Sequence, residues 1–206
     1  MSPEDQVIAE RIAELKKQLS DDLLILGHHY QRDSIVMHAD FLGDSFMLSQ
    51  KAADSDAKYI IFCGVHFMAE SIALLANNDQ DIWITNPKAG CTMEMLAKDY
   101  MVLPVAEQLI ERYGEDLVCV SYMNTSGRLK ALAGRTGGAV CTSSNAHLVV
   151  EWARRHGQKV LFVPDEHLGR NTAARLGMDL SKVVRLASAE ETRGAFPVDD
   201  AHVEGG

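Results

Sequence analysis

Seven short apolar runs alternate with helix-like segments along this chain, and that alternation is its strongest constraint on fold. The runs, rich in β-branched residues, are 23–26, 59–62, 82–85, 117–120, 139–141, 160–163 and 183–186. Between them lie candidate helices at 45–53, 68–76, 105–113 (behind Pro104, stopped by Gly114), 145–156 (stopped by Gly157) and 171–176. Strands that alternate with helices predict an α/β fold, with parallel sheets covered by helices. A leading amphipathic helix is also expected. Ser2 would cap it, Pro3 would sit in its first turn, and Ile8, Ile12, Leu15 and Leu19 recur at helical spacing.

The two halves of the chain resemble one another. Segment 23–86 runs strand, His/Tyr cluster, helix, Asp44-Ser45 turn, helix, strand and then a His66 loop. Segment 117–186 runs strand, Tyr/Asn cluster, helix, Thr142-Ser143-Ser144 turn, helix, strand and then a His167 loop. Tyr30 and Tyr122 are 92 positions apart, Ser45 and Ser143 98. Two copies of one α/β unit account for this order. The expected domains are 1–112 with the leading helix, 113–187, and an acidic tail at 188–206 without apolar period, read as disordered.

Polar groups cluster where strands end. Gly27-His28-His29-Tyr30, Gly64-Val65-His66, Tyr122-Met123-Asn124 and Asp165-Glu166-His167 each follow an apolar run. In open parallel sheets, ligands bind at the carboxyl ends of the strands. Imidazoles there could bind an anion, ligate a metal or shuttle a proton, and phenols could donate to a developing oxyanion. Capping of a strand or loop by the same groups is the plainer alternative. Ser45 or Asp44 is the expected N-cap of the 45–53 helix, where a Ser hydroxyl can also help bind an anion, and Thr142-Ser143-Ser144 before the 145–156 helix repeats the arrangement.

Composition excludes several classes. The net charge is −9, and Lys and Arg are not clustered, which disfavours a nucleic-acid surface. No secretory signal and no apolar stretch near the roughly 20 residues of a membrane span stand out, so a cytoplasmic protein is expected. Cys63, Cys91, Cys119 and Cys141 are spaced by 28, 28 and 22 residues, without a local zinc or iron–sulfur pattern. Cys91, in a loop entering a short helix, is available as a ligand or nucleophile. Cys63 and Cys119 sit in apolar runs and read as core thiols. A mononuclear metal site from His28, His66 and His167 is a weaker possibility.

Longer strings carry a resemblance. Ile25-Leu26-Gly27-His28-His29-Tyr30-Gln31, His38-Ala39-Asp40-Phe41-Leu42-Gly43-Asp44-Ser45, Phe62-Cys63-Gly64-Val65-His66-Phe67-Met68 and Ala89-Gly90-Cys91 resemble quinolinate synthase. So do Tyr122-Met123-Asn124-Thr125-Ser126, Cys141-Thr142-Ser143-Ser144-Asn145 and Pro164-Asp165-Glu166-His167-Leu168-Gly169-Arg170-Asn171. The resemblance implies condensation of iminoaspartate (iminosuccinate) with dihydroxyacetone phosphate to quinolinate, in de novo NAD biosynthesis. It implies three pseudo-symmetric α/β/α domains around a [4Fe-4S] cluster held by one cysteine from each, of which this chain would supply two domains and one ligand. By motif, Cys91 is the cluster ligand. His28, Ser45, Tyr122, Met123, Asn124 and Ser143 are substrate contacts, with Tyr30 and Tyr122 as candidate catalytic groups. L-aspartate oxidase or aspartate dehydrogenase is the implied upstream enzyme. The motifs implied for the later cysteines and for a His/Glu pair have no counterpart here. An incomplete enzyme, self-association through an uncovered apolar face, and a non-catalytic dicarboxylate- or phosphate-binding module are therefore the expectations carried forward.

Overall fold

The computed structural model describes residues 3–186. Ser2 and the expected tail lie outside them. Chain contacts divide the protein into two compact units, Met1–Gly90 and Cys91–Gly206.

The first unit begins with α1 (Pro3–Leu19), which carries Glu4 and Asp5 in its first turn and Lys16 and Lys17 in its last, and which buries no residue. Acids at the amino end and bases at the carboxyl end suit the helix dipole. Then follow β1 (Leu23–His28), the short α2 (Asp33–Val36), β2 (Phe41–Gly43), α3 (Ser45–Ala53), β3 (Tyr59–Cys63), α4 (His66–Leu75) and β4 (Asp81–Ile84). The strands form one parallel sheet in the order β2-β1-β3-β4. Residues 24–28 of β1 are all buried, as in a strand covered on both faces. Asp40 ties the edge together. Its carboxylate accepts the Ile25 N–H at 2.8 Å and pairs with Lys16 of α1 at 2.6 Å.

The second unit contains α5 (Asp99–Tyr113), β5 (Leu117–Tyr122), α6 (Gly127–Arg135), β6 (Ala139–Cys141), α7 (Ala146–His156), β7 (Lys159–Val163) and α8 (Glu166–Arg175). Its sheet is also parallel, ordered β6-β5-β7. Side chains of β5 alternate between two cores. Cys119 packs with Ala106, Leu129, Leu132 and Ala133 from α5 and α6, whereas Val118 and Val120 pack with Val150 and Ala153 from α7. The unit is thus three layers. Its strand order repeats the first three positions of the other sheet, as the internal repeat leads one to expect.

Several expected boundaries move. Asp99–Tyr113 starts five residues before Pro104, because Asp99 accepts from Ser126 Oγ and Val102 and Leu103 pack on the core. Contacts outside the helix outweigh the hydrogen bond that proline removes. Helices α4 and α8 begin at His66 and Glu166, so two of the polar clusters are first helical turns rather than loops. The run 183–186 forms no strand. Its Val183 carbonyl accepts from Arg170, and Val183, Val184 and Leu186 line an apolar groove of about 860 Å³ with Leu161 and Phe162 of β7.

Glycine matters most at Gly138, just before β6. A Cβ there would lie 1.8 Å from the Cys119 carbonyl oxygen, whereas one on Gly134, exposed near the end of α6, would meet nothing within 4 Å. Opposite outcomes are expected by urea denaturation. Gly138→Ala should destabilise by roughly 2–4 kcal/mol, and Gly134→Ala should stabilise by about 0.5–1 kcal/mol. Equal effects at the two positions would contradict this packing.

Candidate functional site

In the first unit the site residues gather at the carboxyl end of β1 and β2. His28 is the last residue of β1 and stands opposite Gly43 in the ladder. Ser45 follows two residues after Gly43 and opens α3. The His28 side chain is 5% exposed, with ring centroids 3.8 Å from Tyr30 and 4.2 Å from His29. Its Nδ1 is buried without a hydrogen-bond partner among the described residues, which is costly unless the site supplies one. Burial, reinforced by neighbouring His29 and opposed by Asp44, lowers its pKa from 6.5 to about 4. His28 is therefore a neutral imidazole near pH 7, able to donate one hydrogen bond and accept another. Tyr30 is 52% exposed, with one ring face against His28.

Asp44, rather than Ser45, caps α3. Its Oδ1 accepts the Phe46 and Met47 N–H groups at 2.9 Å each. A carboxylate of the protein thus already occupies this positive helix end.

The second unit repeats the arrangement at β5 and β6. Tyr122 ends β5 and stands opposite Cys141. Ser143 follows two residues after Cys141, as Ser45 follows Gly43. The two ladders therefore make His28 the counterpart of Tyr122. The 92-residue match between Tyr30 and Tyr122 is a coincidence of spacing, because the connection to the next strand is four residues longer in the second unit. Ser143 is exposed. Asn145 precedes α7, but its Oδ1 accepts from the Thr142 N–H at 2.7 Å and from the Thr142 hydroxyl, so no side chain caps α7. At that helix start the Ala146 and Leu148 N–H groups donate instead to the Thr142 and Asn145 carbonyls, and no carboxylate side chain stands there as Asp44 does at α3.

Tyr122 packs against the β5–α7 core, and Met123 is buried, its N–H donating to the Cys141 carbonyl at 2.8 Å. Asn124 Nδ2 donates to Cys91 Sγ at 3.6 Å. Two of the expected residues, far apart in sequence, thus meet directly. Cys91 is partly exposed, whereas the other three cysteines are buried. Burial pushes the thiols of Cys119 and Cys141 up to about 12 and raises that of Cys63. Cys91 alone therefore fits a metal-facing thiolate, and one thiol fits one ligand position, not a whole cluster. His66 and His167 are exposed on the first turns of α4 and α8. Among the described residues no three His, Cys, Asp or Glu side chains converge as a metal site.

Sequence motifs did not reveal the polar layer beneath residues 122–125, formed by Ser121, Thr125 and Lys130 and fully or almost fully buried. The available signal was a lysine inside the apolar stripe of Leu129, Leu132 and Ala133.

The buried neutral His28 makes stability pH-dependent. Between pH 6.5 and about 4 the unfolded chain holds a proton at His28 that the folded chain refuses. This contribution to stability is intact above 6.5 and is lost as pH falls towards 4, at up to roughly 1.4 kcal/mol per pH unit. His28→Gln should flatten the pH dependence of the urea midpoint over that window. An unchanged slope would show that His28 is not held neutral.

No helix among the described residues is long and apolar enough to cross a membrane. A family model described as quinolinate synthetase A protein matches residues 10–192. The chain is 49% identical to a quinolinate synthase of Corynebacterium glutamicum over 181 residues, covering 87% of this chain and 46% of the relative. It is 48% identical to that of Streptomyces coelicolor over 186 residues (89% and 47%) and 45% identical to that of Acidobacterium capsulatum (89% and 50%). The chain thus spans about half the length of these curated relatives. Matched by the family model over residues 10–192, it belongs to the quinolinate synthetase A family.

Proposed function

We propose that this chain carries the substrate-anion sites of a quinolinate synthase, which condenses iminoaspartate with dihydroxyacetone phosphate to quinolinate in NAD biosynthesis. The observation that carries this reading is the repeated register. In both units a polar residue ending an interior strand lies opposite a residue followed two positions later by a serine, which opens α3 in the first unit and lies in the turn leading into α7 in the second.

Carboxylates and a phosphate are poorly served by a chain of net charge −9 through its overall field. Local donors must hold them. The His28 imidazole and the Ser45 hydroxyl would meet one anion in the first unit. The Ser143 hydroxyl, the Asn124 amide and the uncapped start of α7 would meet another in the second. The Tyr122 phenol would donate to the imine or a carbonyl oxygen, and the buried Met123 would form an apolar floor beneath them. Tyr30, exposed but stacked on His28, is the proposed acid–base or positioning phenol. A [4Fe-4S] cluster in the whole enzyme would supply Lewis-acid chemistry, and Cys91 is the residue here that would ligate it. Upstream, an L-aspartate oxidase or aspartate dehydrogenase would supply the imine, and a cytoplasmic setting is proposed with it.

The single accessible thiol favours a second reading, a non-catalytic module that retains dicarboxylate or phosphate binding. Calorimetry with oxaloacetate (a stable analogue of the imine) and with dihydroxyacetone phosphate tests what the two readings share. Binding is expected with at least one of them, weakened about tenfold or more by Asn124→Ala or Ser143→Ala. No heat with either ligand would overturn both. Anaerobic loading with iron and sulfide separates them. A stoichiometric [4Fe-4S] spectrum abolished by Cys91→Ser supports the enzyme, and its absence leaves this chain as the binding module. The groove beside β7 and the exposed Leu74, Leu75 and Trp83 are proposed as faces for self-association. Size-exclusion chromatography should then show a concentration-dependent size, and a monomer at all concentrations would refute it.

A further inference from the structure

Lys130 lies on α6, one turn after its capping residue Ser126, and is 7% exposed. A buried ammonium is expensive, and one near a helix amino end also faces the unfavourable pole of the dipole. Its neighbours Leu129, Leu132 and Ala133 are core residues, and a methionine would pack there without either penalty. Lys130 nonetheless reaches back to the turn that precedes its helix. Its Nζ donates to the Thr125 carbonyl at 2.9 Å.

Thr125 is fully buried, and its hydroxyl donates to the Tyr122 carbonyl at 2.8 Å. Because that hydroxyl has a single proton, the 2.7 Å contact with the buried Ser121 hydroxyl must run from Ser121 to Thr125. A directional chain results, from Ser121 through Thr125 to the Tyr122 carbonyl, with Lys130 pinning the carbonyl of Thr125 itself. On the other side, the Met123 N–H is tied to Cys141. Residues 122–125 are thus anchored at three points, and the Asn124 side chain projects from them to Cys91.

We propose that Lys130 is a positioning residue: acting through Thr125, it fixes the 122–125 turn so that the Asn124 amide meets the Cys91 sulfur. The arrangement resembles the outer-shell hydrogen bonds that orient ligands at metal and substrate sites. Its consequence for ligand affinity rests on Asn124 being a substrate contact, as proposed above, whereas the positioning itself does not.

The test follows the Asn124 side-chain amide of the full chain by 1H–15N correlation, assigned with Asn124→Asp. In the wild-type protein this pair should move on Cys91→Ser, which verifies the sulfur contact. Lys130→Met should shift it to the position of a free amide, while Lys130→Arg, which keeps the charge and donors, should retain it. Lys130→Met that folds and leaves the Asn124 pair in place would overturn the proposal, whatever its melting temperature. If Lys130→Met does not fold, Lys130→Gln, shorter and uncharged, takes its place, and an unmoved Asn124 pair in that variant would overturn it equally. Oxaloacetate affinity should fall about tenfold in Lys130→Met and recover in Lys130→Arg. A wild-type chain that binds no oxaloacetate would sink the substrate-site reading and leave the spectroscopic test of positioning standing.

Discussion

A parallel β-ladder has one polarity, and most of the chemistry in this chain depends on it. Because every strand in each sheet runs the same way, all carboxyl ends lie along one edge. The chain must return through a helix to start the next strand, so each strand end leads towards a helix start. Backbone donors at helix starts and side chains at strand ends therefore share that edge without any special design. His28 with Ser45, and Tyr122 with Ser143, are two instances of the same geometry. The central position of β1 and β5 gives each a neighbour on both sides and buries most of their length, which makes these two strand ends the best-fixed points of their units.

Equivalent positions have taken opposite electrostatic characters. In the first unit the helix start is closed by Asp44 and the strand end carries a desolvated, neutral imidazole. In the second, the helix start lacks a side-chain cap and the strand end carries a phenol followed by an amide. A carboxylate therefore stands at the matched helix start of the first unit and none at that of the second, although the ladders place the two strand ends alike.

Much of this was legible in the sequence because it rests on local pattern. Six of the seven apolar runs are strands, and the 45–53 helix and the Ala139–Cys141 strand fall where the pattern puts them. Phe41–Gly43 escaped because it is three residues long and its Phe41 and Leu42 are exposed at the sheet edge, so it shows neither alternation nor burial. The run 183–186 has the composition of a strand but no ladder, since composition cannot supply a hydrogen-bonding partner. At His66 and His167 a polar side chain directly after a strand end reads as loop, yet each lies in the first turn of a helix, and in α4 the buried Phe67, Met68 and Ala69 follow at once. The role of Lys130 was the least legible. It depends on a side chain reaching back past its own helix cap, a tertiary contact with no periodic signature.

Burial also sorts the four cysteines by what each can do. A thiol pushed up to about 12, as in Cys119 and Cys141, remains protonated at any ordinary pH and packs as a small apolar group. Neither can become a metal-facing thiolate without exposing the core of the second unit, so their number in the sequence says nothing about cluster binding. Cys91 differs in place as well as exposure: it lies off the sheet, and the Asn124 amide donates to its sulfur. A hydrogen bond to sulfur is worth most when the sulfur bears negative charge. The turn that presents Asn124 is in turn secured by Lys130, a buried cation. Three buried polar groups, Ser121, Thr125 and Lys130, thus hold the turn that sets this amide beside the one cysteine whose sulfur is not buried in a core.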